Sequence, residues 1–200
     1  MPYSPEHKRE TRERILKSAR HLFNRKGFAE VTIDEIMADA GLTRGGFYNH
    51  FDTKEGLYAE AISQFISDGP EVWQRAYVDP SAQGPQLAKM IVDAYLSKEH
   101  FEDRDGSCPM VGLPSDAARA GEAVKAAYRE VLQMMAAAFE SNLPLGEPSA
   151  RQRALALVAL CVGGMVLSRA IDDPALAEDL RSAARNHVLA ASGWGDRTDG

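Results

Sequence analysis

The sequence predicts an all-α protein, and three observations predict it. Apolar residues recur at helical spacing along most of the 200-residue chain. Helix-start residues precede these runs, with glycines or prolines behind them. The stretches between runs are short and rich in Gly, Pro, Ser and Asp. A hydrophobic fraction of 44% is ample for packed cores, so disorder is not the default.

The elements follow in order. Ile15, Ala19, Leu22 and Phe23 keep the i, i+4, i+7, i+8 spacing of an amphipathic helix that ends at Gly27. Thr32 and Glu35 form a capping box, which opens a short helix burying Ile33, Ile36, Met37 and Ala40. Gly41 is placed to stop that helix, and Thr43 to cap the next. The stretch "GLTRGGFYNHFDTKEGL" then sets Phe47 and Phe51 four apart on one inward face. It also carries Gly45 and Gly46, each costing roughly 1 kcal/mol against alanine in a helix interior. Asp52 or Thr53 caps a further helix from Lys54 with Leu57, Tyr58, Ala61, Ile62 and Phe65 inward.

Two short helices joined by a glycine turn make a helix-turn-helix. The second, over 43–51, is long enough to lie in a DNA major groove. With both phenylalanines inward, Arg44, Gly45, Tyr48 and Asn49 face out. They offer a cation, a bare backbone, a phenol and an amide, a set suited to nucleic acid. An ordinary αα-hairpin is the competing reading.

Charge distribution matters more than the overall net charge of −6. Eight cations up to residue 26 face Glu6, Glu10 and Glu13, a local net of +5 that leaves −11 for the rest. A basic head on an acidic body suits an anionic partner. The alternative is a solvated face laced with pairs such as Glu10–Arg14 and Glu13–Lys17. Two cysteines, a polar start without a signal-peptide core, and a longest apolar stretch (154–167) too short for a bilayer predict a cytoplasmic protein away from membranes.

Beyond residue 66 the readings are coarser. Gly69 and Pro70 should kink or end the helix begun at Lys54, and 79–86 and 101–116 read as irregular. Ser115 or Asp116 opens one long helix to about residue 141; further helices cover 150–170 and 174–192, and 193–200 reads as a frayed tail.

The stretch "TRERILKSARHLFNRKGFAEVTIDEIMADAGLTRGGFYNHFDTKEGLYAEAI" resembles the DNA-binding domain of the TetR family of bacterial transcriptional regulators. The shared features are "I..A..LF...G", a "T...I" opening and an "AG.T.G..Y.HF..KE.L" core. The resemblance implies about nine helices, with a helix-turn-helix DNA-binding domain at 1–53, an effector-binding and dimerisation domain at 54–194, and a tail at 195–200. It implies a homodimer on a palindromic double-stranded DNA operator, most often a repressor that a small-molecule effector releases. Thr32 and Thr43 would bring helix ends to phosphates, while Tyr48, His50 and Lys54 would fix register on the backbone. Arg44 and Asn49 would read base edges, and Gly45 would let the backbone close on the DNA. Gly46 departs from the threonine, serine or alanine of many relatives.

In the helix over 150–170, small residues alternate with leucines. By family likeness, Leu160, Gly163, Gly164 and Leu167 would pair two copies; an intramolecular core helix is the other reading. Met90, Tyr95, Phe101, Met110, Tyr128, Met135, Cys161 and Met165 are candidates to line an effector site or simply to fill a core. Cys108, in a Gly- and Pro-bounded loop near Arg104, is a candidate electrophile- or redox-sensing thiol or an inert small hydrophobe. No Walker loop, G-x-S-x-G elbow or metal-spaced histidines are present, so no cofactor or metal is expected. A helical enzyme or a DNA-free interaction module remain the alternatives to a regulator.

Overall fold

A computed structural model of the chain describes residues 4–67, 79, 81–144 and 149–194. Among these residues are ten α-helices, one 3₁₀ segment and no strand, which is the all-α class the sequence predicts, with about nine helices expected. The chain forms two compact units, one of residues up to 69 with 104–131, the other of 70–103 with 132–200.

The first unit begins with α1 (Pro5–Lys26), α2 (Ile33–Asp39), the 3₁₀ segment Arg44–Asn49 and α3 (Lys54–Ser67). Ile15, Ala19 and Phe23 of α1 pack with Ile36 and Met37 of α2, with Phe47 and Phe51, and with Leu57, Tyr58 and Ile62 of α3. Each side chain of this size, fully buried, contributes roughly 1.5–3 kcal/mol. Phe23, Phe28 and Tyr58 form an aromatic trio, with Tyr58 centred 4.8 Å from each of the other two rings.

Four helices of 4 to 12 residues follow. They are α4 (Gly84–Tyr95), α5 (Lys98–Glu102), α6 (Pro109–Gly112) and α7 (Pro114–Arg119). Of these, α6 and α7 belong to the first unit. Asn24 of α1 donates to the carbonyls of Asp105 and Ser107, both at 2.9 Å, and the Phe28 amide donates to Asp116 at 2.8 Å.

One long helix from residue 115 or 116 was the expectation; the structure divides it into α7 and α8 (Glu122–Glu140). Ala120 is extended, and the freed Gly121 amide donates to Glu55 at 2.7 Å. A Cβ on Gly121 would stand 2.6 Å from that carboxylate oxygen, so any larger residue would make the Glu55 side chain shift.

The second unit holds α4, α5, the end of α8 from residue 132, α9 (Ala150–Arg169) and α10 (Pro174–Ser192). The last two run antiparallel, as Ser168 donates to the carbonyl of Ala177 and Arg153 to that of Ala191. Trp194 is buried against Phe139 with its indole N–H on the Asn142 carbonyl at 2.9 Å, so the frayed tail expected from residue 193 does not begin there. The kink expected at Gly69 and Pro70, and the tail 195–200, lie outside the described residues. Taken whole, α9 is long and apolar enough, by length and composition alone, to cross a bilayer; the 154–167 stretch read as too short is only part of it.

Candidate nucleic-acid interface

The site is assembled from the caps inward. At α2, the Thr32 hydroxyl accepts the Glu35 amide at 3.1 Å, and the Glu35 carboxylate accepts the Thr32 amide at 2.8 Å. That amide, with Lys26 and the Thr32 hydroxyl behind it, holds the Glu35 carboxyl down at about 2. The helix ends at Ala40, whose carbonyl accepts the Arg14 guanidinium, and Gly41 turns the chain with φ +68°. A side chain would strain that backbone, so glycine is the fitting residue.

The next segment departs from the α-helix expected over 43–51. It is a six-residue 3₁₀ turn, with Gly46 N–H on the Thr43 carbonyl at 3.0 Å and His50 N–H on that of Phe47 at 2.9 Å. Two adjacent glycines weaken the preference for α winding, and the tighter i→i+3 pattern takes over. At ~2.0 Å per residue, six residues still reach about 12 Å.

Its two faces match the expected division. Phe47 and Phe51 are buried, while Arg44, Gly45, Tyr48 and Asn49 are exposed, Tyr48 by 59%. Nothing lies within 4 Å of where a Gly45 Cβ would stand, whereas one on Gly46 would meet Met37 Cε at 3.5 Å. Arg44 Nη1 bonds Asp34 Oδ2 at 2.7 Å. Sequence spacing does not reveal that pairing, because residues ten apart meet only once the turn has folded.

Three of the remaining candidates already have partners or make no cap. The Thr32 hydroxyl already donates to Glu35, so it has no spare proton for a phosphate. Thr43 has the backbone of an N-cap, yet its side chain caps nothing; Thr53 does the capping at α3, accepting the Gly56 amide at 2.9 Å. The Lys54 ammonium lies over the Phe28 ring, 4.1 Å from its centroid, and burial lowers its pKa against the pull of Asp116 and Glu35. Its ammonium is thus engaged on a ring of its own unit.

His50 is half-buried, with Nδ1 shielded from solvent. Burial first, then the charges of Lys8, Arg12 and His7, hold its pKa below the ordinary histidine value. It lines a cavity of about 460 Å³ with Lys8, Thr11, Met37, Gly46 and Asn49, among others.

The basic run of α1 is largely spent on internal partners. Arg12 pairs with Glu60 and lies over Phe51, Arg25 pairs with Asp105, and Lys26 with Glu35. Arg14 goes to the Ala40 carbonyl rather than to Glu10, and Glu13 sits 3.9 Å from Arg9 in place of the expected Lys17 pair. Pairs as open as these add little to folding, but they offset part of the positive charge of the run.

Residues 15–61, spanning α1 to most of α3, match the family model described as "Bacterial regulatory proteins, tetR family". That stretch of the chain is similar to the DNA-binding domain of the TetR family. The chain is 29% identical over 104 residues to an uncharacterized HTH-type transcriptional regulator, YdgC, of Bacillus subtilis, covering 52% of this chain and 53% of that one. The chain thus spans about half of that relative. To the HTH-type transcriptional regulator LmrA of the same organism it is 27% identical, over 80% of this chain and 86% of that protein. The crystal structure of reduced E. coli NemR shares the fold with a TM-score of 0.71 at 19% identity, covering 90% and 96% of the two chains. These relatives are named as regulators, not enzymes.

Elsewhere in the chain, the expected effector residues are divided between the two units. Cys108, Met110 and Tyr128 belong to the first unit, where the Tyr128 hydroxyl is 3.5 Å from the Met110 carbonyl. Burial, then Cys108, pushes the Tyr128 phenol up to about 12. Cys108 is only 1% exposed, so a bulky electrophile reaches it only after local opening. Met90, Tyr95, Phe101, Met135, Cys161 and Met165 belong to the second unit, where burial lifts the Cys161 thiol to about 12.

Sequence reasoning missed a polar cluster in that unit. His100 is fully buried, donates Nδ1–H to the Tyr95 carbonyl at 2.6 Å, and is kept neutral by a pKa pushed down to about 3, chiefly by burial. Arg181 donates to the Leu96 carbonyl and lies over Phe101. The scattered spacing of these residues gave no signal.

The four candidate pairing residues divide. Leu160 and Leu167 are exposed, by 38% and 56%, and Gly163 faces open space. Gly164 does not join them. A Cβ there would stand 2.7 Å from Ala184 of α10 in the same chain, so it serves packing within the subunit.

Proposed function

We propose that this chain is a DNA-binding transcriptional regulator that meets a palindromic operator as a homodimer. The observation that carries the reading is the exposed set Arg44, Gly45, Tyr48 and Asn49 over the buried Phe47 and Phe51. Rigid anchoring beneath, with a cation, an amide and a bare backbone above, is what groove reading requires. Arg44 and Asn49 read base edges, and Tyr48 with His50 contacts phosphates.

Pairing is supported by the apolar seam that the subunit leaves open. Leu160, Gly163 and Leu167 on α9 continue to Leu176 on α10, exposed by 46%. Two copies joined there double a site that one short segment reads too briefly to be selective. A dimer seated on DNA excludes other proteins from the same stretch, so repression is the simplest consequence. Release by a small molecule fits the adaptable set Met90, Met135, Met165, Tyr95 and Phe101 of the second unit, which favours apolar ligands.

Selection from a randomised duplex pool, followed by binding at several salt concentrations, tests the reading. Affinity should fall steeply with salt and depend on sequence. Tyr48→Ala should weaken binding to all duplexes alike, and Arg44→Ala should relax preference at one position in each half-site. Sequence-blind or salt-independent binding defeats the proposal.

A further inference from the structure

Arg44 does not project alone. Its guanidinium is held at 2.7 Å by Asp34, which lies in the first turn of α2. Both side chains are exposed, Arg44 by 63% and Asp34 by 56%. A pair so open to water adds little to folding. The two elements it joins are in any case packed through the buried Met37 and Phe47. Stability therefore gives no reason for the pair, while its location does. It sits at the start of the segment that carries the outward-facing set.

We propose that Asp34 is a positioning residue for base recognition, holding the Arg44 guanidinium so that it reads a base pair instead of resting on a phosphate. The inference rests on the DNA-binding reading above. Arginine offers five N–H donors in a planar fork, and Asp34 takes only Nη1. The Nε and Nη2 edge is left to grip two acceptors such as O6 and N7 of a guanine.

An unanchored arginine keeps most of its rotamer freedom, which binding must then remove. It also has no reason to prefer a base over the nearest phosphate, because the phosphate carries the charge. Asp34 changes both conditions. It orders the side chain before DNA arrives, and its own negative charge disfavours any phosphate drawn close to it. The cation is thereby directed to uncharged acceptors in the groove. Among the described residues no other carboxylate pairs with Arg44, so the effect turns on this one contact.

The test uses the full chain and the duplex recovered from a randomised pool, with single-base-pair variants of it and a scrambled duplex. In the native protein the base pair read by Arg44 should discriminate by about tenfold or more. In Asp34→Asn that discrimination should shrink to within about threefold, while affinity for the scrambled duplex rises. Asp34→Glu, which keeps the charge, should restore part of the preference. On an Arg44→Ala background, Asp34→Asn should leave the preference unchanged, because nothing remains to position. Full discrimination in Asp34→Asn overturns the proposal. An equal loss on every duplex does so too, since it marks Asp34 as a folding residue of α2. Failure to recover any preferred duplex with the native chain would instead defeat the DNA-binding reading itself, a separate outcome.

Discussion

Two pairs of adjacent glycines lie in different units, and they divide their labour in the same way. In the 3₁₀ segment, Gly45 opens onto empty space and Gly46 faces Met37. In α9, Gly163 opens onto empty space and Gly164 faces Ala184 and Leu96. The first glycine of each pair bares backbone on a surface, and the second lets something inside come near. The inward members differ in degree. A Cβ would be 3.5 Å from the flexible end of Met37 at Gly46, but 2.7 Å from the fixed Cβ of Ala184 at Gly164. A double glycine thus marks an element with a face to spare, and the neighbour on its inner side decides how strictly glycine is required.

The largest effect should come from the tightest contact. Gly164→Val should destabilise the chain by about 1–3 kcal/mol, because α9 and α10 must separate to admit it. Denaturant unfolding measures this directly. A variant as stable as the native chain would show that the helix pair can slide, and would remove the contrast with Gly46.

The outward pair should behave oppositely. Gly45→Leu and Gly163→Leu should each leave stability within about 0.5 kcal/mol, since nothing stands in the way of either side chain. Each should weaken a different assembly. Gly45→Leu should lower affinity for the selected duplex about a hundredfold, near 2.7 kcal/mol, by holding the backbone off the DNA. Gly163→Leu should shift a dimer toward monomer in light-scattering measurements while the isolated subunit stays folded. Loss of DNA binding without loss of fold is the readout that separates the first from Gly164→Val. Normal binding by folded Gly45→Leu would show that the bare backbone is incidental.

What was legible in the sequence is what local chemistry decides. The capping box of Thr32 and Glu35, the stop at Gly41 and the inward Phe47 and Phe51 all depend on neighbours within a few residues. The outward set followed from the same periodicity. What escaped depends on partners far along the chain. The break between α7 and α8 needs Glu55, sixty-six residues from Gly121. The engagement of Lys54 needs the Phe28 ring, and the orientation of Arg44 needs Asp34. The apolar effector candidates show the same limit, because methionine and aromatic residues look alike in a core and in a lining. Gly164 shows it once more: a stripe of small residues predicts close approach, but not which helix approaches.

Gly46→Ala should have the smallest effect, and for that reason it tests the contrast most finely. A separation of 3.5 Å is ordinary van der Waals contact, and Met37 ends in a chain that can rotate away. No positive φ is present at Gly46, so alanine can adopt its backbone. Limiting the freedom of the unfolded chain should then stabilise the variant by about 0.4–1 kcal/mol. The added methyl would narrow the cavity shared by Lys8, Asn49 and His50 while leaving the Gly45 surface bare. Affinity for the selected duplex should change by less than about threefold, under 0.7 kcal/mol. A rise in melting temperature with binding intact is the expected result. A loss of more than about 1 kcal/mol would mean that Met37 is as immovable as Ala184, and that both inner glycines are required by packing alone.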